Sequence, residues 1–361
     1  MRSVVTGGAG FIGSHLVEHL LAQGDEVVVL DDFSTGSRRN LASAEGSPTL
    51  SVVEGSILDR ALVDAVVTSA DRVFHLAAAV GVRRIVEEPL ESLRVNLHGT
   101  ENVLEAACST GAVLLLASTS EVYGKNTSDG LTEESDRILG SPLKSRWTYA
   151  AAKGIDEAMA RAYFDRYGLR VAIARLFNTV GPRQTGRYGM VVPNLVGQAV
   201  RGEPLTVYGD GLQTRCFSYV GDVVPALVRL SGTPEAYGRA FNLGGAQEIS
   251  ILSLAELIIE ILHSPSRIEL VPYEVAYPQG FEDMRRRVPD NTNARKCVGF
   301  EPQTRLDEIV LAVEKSVRER SEGRNSSEYP VLDSTGPVAP SERDREPRRG
   351  ASEAEEIPAG W

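Results

Sequence analysis

The chain is poor in the features that would tie it to an extracellular scaffold, a metal centre or a bilayer. Its three cysteines, Cys108, Cys216 and Cys297, are odd in number, far apart and without CxxC spacing. That argues against a disulfide framework and a thiolate metal site, and makes the reducing cytoplasm the expected compartment. Five histidines, His15, His19, His75, His98 and His263, show no metal-ligand spacing, so structural roles and no metal are expected. No run of about 18 apolar residues exists to span a bilayer. The N-terminus enters a strand-like stretch directly, without the basic and apolar regions of a signal peptide, so neither export nor a membrane partner is expected. Basic residues are outnumbered, 38 Lys and Arg against 49 Asp and Glu, for a formal charge of −11. A nucleic-acid partner is therefore not expected, and any anion site needs local cations.

What is present is a soluble globular composition, 361 residues with 42% hydrophobic and 24% charged, enough for one large α/β domain or two smaller ones. As far as about Gly181, short apolar runs alternate with helix-length segments. SVVTG, EVVVLD, SVVEG, RVFHLA, VLLLAST and RVAIARLF are the candidate strands, and that rhythm predicts a Rossmann-like, doubly wound parallel sheet of the α/β class. Further on, the rhythm loosens into loops rich in Gly, Pro and Tyr, with helices predicted from about Ser250 to Leu262 and from about Arg305 to Arg320. The expected division is a Rossmann domain over 1–181, with later segments returning to it, and a smaller mixed α/β substrate lobe over 182–320. Over 321–361 the composition of Ser, Glu, Arg, Pro and Gly cannot bury enough area to offset chain ordering, and a disordered tail is expected.

The first strand leads into Gly7-Gly8-Ala9-Gly10-Phe11-Ile12-Gly13 and then a helix, SHLVEHLLAQG. In that context Gly7 allows the tight turn, Gly10 lets backbone N–H groups approach a pyrophosphate, and Gly13 lets helix and strand pack closely. The second strand brings Asp31 to the expected position of a ribose-binding acid, with Asp32 ranked second. A carboxylate there accepts from a 2′-hydroxyl and repels a 2′-phosphate, which favours NAD over NADP.

Tyr149 and Lys153 are four residues apart in an alanine-rich helical stretch, YAAAKGIDEAMARAYF, so both side chains share a face. An ammonium beside a phenol, together with an oxidised nicotinamide, stabilises the phenolate and makes a general base usable near neutral pH. Upstream, VLLLAST delivers Thr119, Ser120 and Glu121 to the carboxyl edge of its strand, where doubly wound sheets bind ligands.

Taken together, these residues resemble the extended short-chain dehydrogenase/reductases that modify nucleotide sugars, the NAD-dependent epimerase/dehydratase family. TGGAGFIGSH, FHLAA, the NLHGT that starts at Asn96, STSEVYG, YAAAK, RLFNTVGPR, GEPLTVYGDGLQTR and RRVPD fall in family order over nearly all of the chain to about Arg320. The resemblance implies a tightly held NAD, a sugar oxidised at C4 to a transient ketone, and a homodimer. It extends the cofactor site to Phe11, Ile12, Ile57, Leu76, Ala77 and Ala78 beside Tyr149 and Lys153. A UDP-sugar site is implied at Asn178, Val192, Tyr208, Arg215 and Arg287. Two departures stand out: Ser56 where the family commonly has an aspartate near the adenine, and Ala79-Val80 where Ala-Gln is frequent.

The branches of the family part after the oxidation. Dehydratases resemble one another in a T-D-E segment, and here the middle residue is Ser120. Simple 4-epimerases carry small or neutral residues after the threonine, and Glu121 exceeds that need. The trio Thr119-Ser120-Glu121, the Arg146-Trp147 pair before the tyrosine, and GFEDMRRRVPD look like UDP-glucuronate decarboxylases, the UDP-xylose synthases among them. That resemblance makes Glu121 an acid or base working through water, Ser120 a contact for the sugar carboxylate, and Arg287 the residue that orients it or helps deliver a proton to C5. Glu121 as a structural carboxylate and Arg287 as a pyrophosphate contact stay open, and a UDP-hexose or UDP-hexuronate 4-epimerase is the alternative. A catalytically silent NAD-binding protein is disfavoured by the presence of Thr119, Tyr149 and Lys153.

Overall fold

The computed structural model describes residues 1–81, 88–186, 190–276 and 284–322; most of the expected tail, from residue 323 on, lies outside them. The first six strands fall where the apolar runs predict them: β1 (Arg2–Thr6), β2 (Glu26–Asp31), β3 (Leu50–Glu54), β4 (Arg72–His75), β5 (Val113–Thr119) and β6 (Val171–Leu176). Helices α1 (Phe11–Ala22), α2 (Arg60–Val67), α3 (Pro89–Thr110) and α4 (Thr148–Tyr167) lie between them. The later segment supplies β7 (Thr179–Val180), α5 (Val191–Arg201), β8 (Leu205–Tyr208), β9 (Thr214–Cys216), β10 (Ser218–Tyr219) and α6 (Val220–Ser231). It continues through β11 (Arg239–Leu243), β12 (Glu248–Ser250), α7 (Ile251–Leu262), β13 (Ile268–Val271), β14 (Arg286–Arg287), α8 (Thr292–Val298) and α9 (Leu306–Glu322).

Seven strands form one sheet in the order β11-β6-β5-β4-β1-β2-β3, every neighbouring pair parallel. A parallel sheet is covered on both faces, so its strands read as continuous apolar runs rather than alternating ones. Val5, Val27 and Val29 enter the core beneath α1 and α6, whereas Val4, Val28 and Leu30 enter the opposite core beneath α2, α3 and α4. Strand order reverses beside β1, which opens a crevice at the carboxyl ends of β1 and β4, the usual ligand position in such sheets.

The two helices predicted in the later segment appear as α7 and α9. Ser250 starts α7, its hydroxyl accepting from Ser253 N at 3.0 Å, a cap that contributes about 1 kcal/mol. Helices α5 and α6 were not legible individually, because Pro193 and Gly197 interrupt one pattern and Pro225 sits inside the other, and all three read locally as breakers. Val192, Leu195 and Val196 of α5, Leu254 and Ile258 of α7, and Ile309, Val310 and Val313 of α9 close a third core over Leu205 and Val207 of β8. No helix among the described residues is long and apolar enough to cross a membrane.

At the amino end of the sheet a buried ion pair joins three segments. Asp25 Oδ2 accepts from Arg72 Nη2 at 2.6 Å and from Ser3 Oγ at 2.6 Å, and Arg72 Nε donates to Ser3 Oγ at 2.9 Å. Burial pushes the Asp25 carboxyl up, but Arg72 and Ser3 outweigh it and hold the group below its usual value. The pair therefore stabilises the fold above the ordinary carboxylate range and loses that contribution as pH falls through the lowered value. Removing one partner strands the other, so Arg72→Ala is expected to lower the unfolding free energy by about 3 kcal/mol in urea titrations near neutral pH. Asp25→Asn is expected to flatten the loss of stability in acid. A parent-like urea midpoint in Arg72→Ala would show that the pair contributes nothing.

Candidate active site

The glycine loop continues directly from β1. Gly7 adopts φ +71°, and a Cβ there would lie 2.7 Å from Ala77 N; on Gly13 it would lie 2.7 Å from the Gly8 Cα and overlap Gly7 O. Only hydrogen fits at either position. Gly10 differs, because a Cβ there would meet only Gly7 O, at 3.1 Å. That contact is tight but far short of the overlap at Gly13, and a bare backbone at the first amides of α1 suits an incoming phosphate. Phe11 and Ile12 begin α1 and are half-buried against the core.

Asp31, at the carboxyl end of β2, is buried. Its Oδ2 accepts from Ala9 N at 2.9 Å and its Oδ1 from Phe33 N at 2.8 Å. Burial pushes the carboxyl up, opposed by those two amides. Asp32 is exposed and closes a local turn on Ser34 N at 2.9 Å, so the acid joined to the glycine loop is Asp31. Leu76 and Ala77 come after β4 and tie back to Thr6, through Thr6 O at 3.1 Å and Thr6 Oγ1 at 3.3 Å. Ala78 is half-buried beside them. Asn96 clamps the next residue, accepting from Ala79 N at 2.9 Å and donating to Ala79 O at 3.2 Å. Ile57 is buried, its backbone oxygen accepting from Asn102 Nδ2 at 2.9 Å.

Tyr149 and Lys153 both lie on α4, which packs against β5 and the turn Ser120–Tyr123. Tyr149 is half-buried, and burial, then the charges of Glu121 and Asp156, push its phenol above the ordinary range. The expected phenolate therefore needs positive charge beyond that of Lys153. Lys153 is only 2% exposed, with Nζ 3.2 Å from Asp156 Oδ2.

The segment after β5 builds a buried cluster of charge. Thr119 Oγ1 accepts from Glu121 N at 3.1 Å and starts the turn. Glu121 Oε1 accepts from Arg287 Nη1 at 2.7 Å, and its Oε2 from Arg146 Nη1 at 2.6 Å. Arg287 Nη1 also reaches Ser120 Oγ at 3.1 Å. Burial raises the Glu121 carboxyl, but both guanidiniums together hold it far below the usual carboxylate range. Glu121 is thus ionised at neutral pH and does not store a proton in this arrangement. In the RRR run, Arg285 pairs with Asp210 and Arg286 with Glu248 at the surface, while Arg287 alone is buried. Arg146, legible only as part of the Arg-Trp pair, proves to be the second jaw of the clamp.

The residues expected to grip a nucleotide sugar lie on the later segment. Arg215 pairs in register with Arg287 across β9 and β14, and both are buried. Asn178, at φ +38°, joins the β6–β7 turn to β9 through Cys216 O at 2.9 Å. Tyr208 ends β8 at 36% exposure, and a cleft of about 150 Å³ lined by Gln213, Tyr273, Met284 and Arg285 lies in the same lobe. Val192 has no exposed surface, so its side chain serves packing in the lobe core.

Residues 3–244 match the family described as the NAD dependent epimerase/dehydratase family. The chain is 41% identical over 302 residues to a UDP-N-acetyl-alpha-D-glucosaminuronate decarboxylase of Bacillus cytotoxicus, covering 83% of this chain and 92% of that protein. It is 37% identical over 323 residues to UDP-glucuronic acid decarboxylase 1 of Arabidopsis thaliana, covering 89% and 70% respectively. Among solved structures, a UDP-glucuronic acid 4-epimerase of Bacillus cereus, in complex with NAD and a fluorinated UDP-glucuronic acid analogue, superposes with a TM-score of 0.80 at 26% identity, over 89% of this chain and all of that one. The sheet order, the glycine loop and these matches agree: the chain belongs to the NAD dependent epimerase/dehydratase family and is related to the UDP-glucuronate decarboxylases.

Proposed function

We propose that the protein is an NAD-dependent UDP-hexuronate decarboxylase, with UDP-glucuronate as its substrate and UDP-xylose or the UDP-4-keto-pentose as product. The observation that carries this reading is the buried Arg287 guanidinium, held on Ser120 and Glu121 with one donor still open. Two guanidiniums, Arg146 and Arg287, both buried, converge on the Glu121 carboxylate. A planar guanidinium can hold a second carboxylate beside the first, and the sugar carboxylate would be that group. Arg287 Nε, buried and without a hydrogen-bond partner among the described residues, adds a donor for it.

The bare backbone at Gly10, the Asp31 carboxylate and the buried Lys153 fit a dinucleotide, with Phe11, Ile12, Ile57, Leu76, Ala77 and Ala78 along its path. When bound, NAD would take a hydride from C4 of the sugar, converting that carbon to a ketone. In this reading Tyr149 accepts the C4 hydroxyl proton, and Lys153 holds the phenol and the ribose in register. A ketone at C4 makes the C6 carboxylate part of a β-keto acid. The C5–C6 bond then breaks, CO2 leaves, and the electron pair passes to the C4 oxygen, which Thr119 and Tyr149 hydrogen-bond. Ser120 and Arg287 orient the carboxylate. Glu121, being ionised, acts by spacing the two arginines rather than by donating a proton. Arg215, Asn178 and Tyr208 hold the nucleotide end, the arginine suiting phosphate through its planar fork.

The 4-epimerase reading keeps support from the likeness to the Bacillus cereus epimerase, and the Bacillus cytotoxicus relative makes the 2-acetamido uronate a second candidate substrate. Mass spectrometry of the product formed from UDP-glucuronate and NAD separates the two reactions. Loss of the mass of CO2 is expected, whereas an unchanged mass with a new stereoisomer would select the epimerase. Arg287→Ala is expected to slow CO2 release by about 100-fold or more, with little recovery in Arg287→Lys, because a single ammonium cannot hold Ser120, Glu121 and substrate together. Parent-like release from Arg287→Ala would remove the argument for this branch.

A further inference from the structure

Asp156 is a buried carboxylate that the proposed reaction does not use. It lies on α4 three residues after Lys153, has no exposed surface, and faces Lys153 Nζ at 3.2 Å. Neither of its oxygens makes a hydrogen bond of good geometry. Thr100 on α3 faces the same carboxylate, with its hydroxyl 3.1 Å from His75 Nε2. His75 Nδ1 lies 2.7 Å from Thr6 Oγ1, which accepts from Ala77 N. A buried polar line thus runs from the loop after β4 through His75 and Thr100 to the ammonium of Lys153.

Packing does not require an acid there. Ala150, Ala152 and Ala160 fill other buried positions of α4, and an ionised carboxylate carries a desolvation cost that an alanine avoids. Among the described residues, the charged groups that act on the Tyr149 phenol are few. Glu121 faces it from the turn after β5, already paired to Arg146 and Arg287, and Asp156 acts on it from its own helix, where it is paired with Lys153. Glu157 is paired with Arg175 at 2.7 Å. His75 on β4 is neutral, because burial and then Lys153 push it down to about 3.

We propose that Asp156 is a positioning residue: it fixes Lys153 Nζ through their buried ion pair, offsets part of its charge, and so sets how readily the Tyr149 phenol releases its proton. This rests on reading Tyr149 and Lys153 as the proton-handling pair. The test titrates Tyr149 directly, by carbon-13 NMR of tyrosine-labelled full-length protein with NAD in excess, Tyr149→Phe identifying the signal. In Asp156→Asn the Lys153 charge is no longer offset, and the midpoint is expected to fall by about one pH unit. Asp156→Glu is expected to restore most of it, which a purely structural role would not produce. An unchanged or higher midpoint in Asp156→Asn overturns the proposal. Should that variant fail to fold, Thr100→Val carries the test, since it removes a hydroxyl that favours the charged carboxylate. It is expected to shift the midpoint the same way by less, and no shift there is equally decisive. The titration needs no sugar substrate, so a parent that turns over no nucleotide sugar counts against the proposed reaction and leaves this result to be judged alone.

Discussion

The carboxylate of Glu121, held between the guanidiniums of Arg146 and Arg287, is the interaction on which the rest of the site depends. Removing charged groups from water is expensive, and the mutual attraction offsets it only where geometry is close and the remaining donors find partners. Here both carboxylate oxygens are used, one by each arginine. The result is a buried cluster of two arginines and a carboxylate at the carboxyl edge of β5, in a chain whose overall charge is negative. Bulk charge thus says little about a site into which the fold brings two buried arginines.

That cluster exists only because three distant segments meet. Glu121 and Arg287 stand 166 residues apart in the chain. The parallel sheet brings Glu121 to the end of β5, α4 and the turn before it bring Arg146, and β14 brings Arg287 by pairing with β9. The later segment both delivers Arg287 and Arg215 to the site and returns β11 to the edge of the central sheet. The proposed substrate contacts and fold closure are therefore carried by the same stretch.

Behind the exposed chemistry lies a second polar layer, from Thr6 through His75 and Thr100 to Asp156 and Lys153. Buried polar groups stiffen a site when they are paired, and each unpaired member costs stability. The layer couples the loop after β4 to the ammonium on α4, so the two walls of the expected cofactor cleft are held by one network. Burial and the charges of Glu121 and Asp156 all raise the Tyr149 phenol, which makes its proton affinity a property of the group of residues rather than of the tyrosine.

Much of this was legible in the linear chain. Strands buried on both faces read as apolar runs, the glycines around the first turn stand out by their spacing, and Tyr149 and Lys153 share a face through the helical period, because all of these are local properties. Asp31 rather than Asp32 closes onto Ala9 N, as its place at the end of an apolar strand suggests. Helices α5 and α6 were hidden by internal Pro and Gly, whose local preference is overruled by burial in a shared core. Only the tertiary structure decided which arginine of the RRR run is buried, that Arg146 completes the clamp, that Glu121 is ionised, and that Asp156 faces Lys153. Those facts depend on which side chains long-range packing brings within a few ångströms and away from water, and neither distance nor solvent exposure is written in residue order.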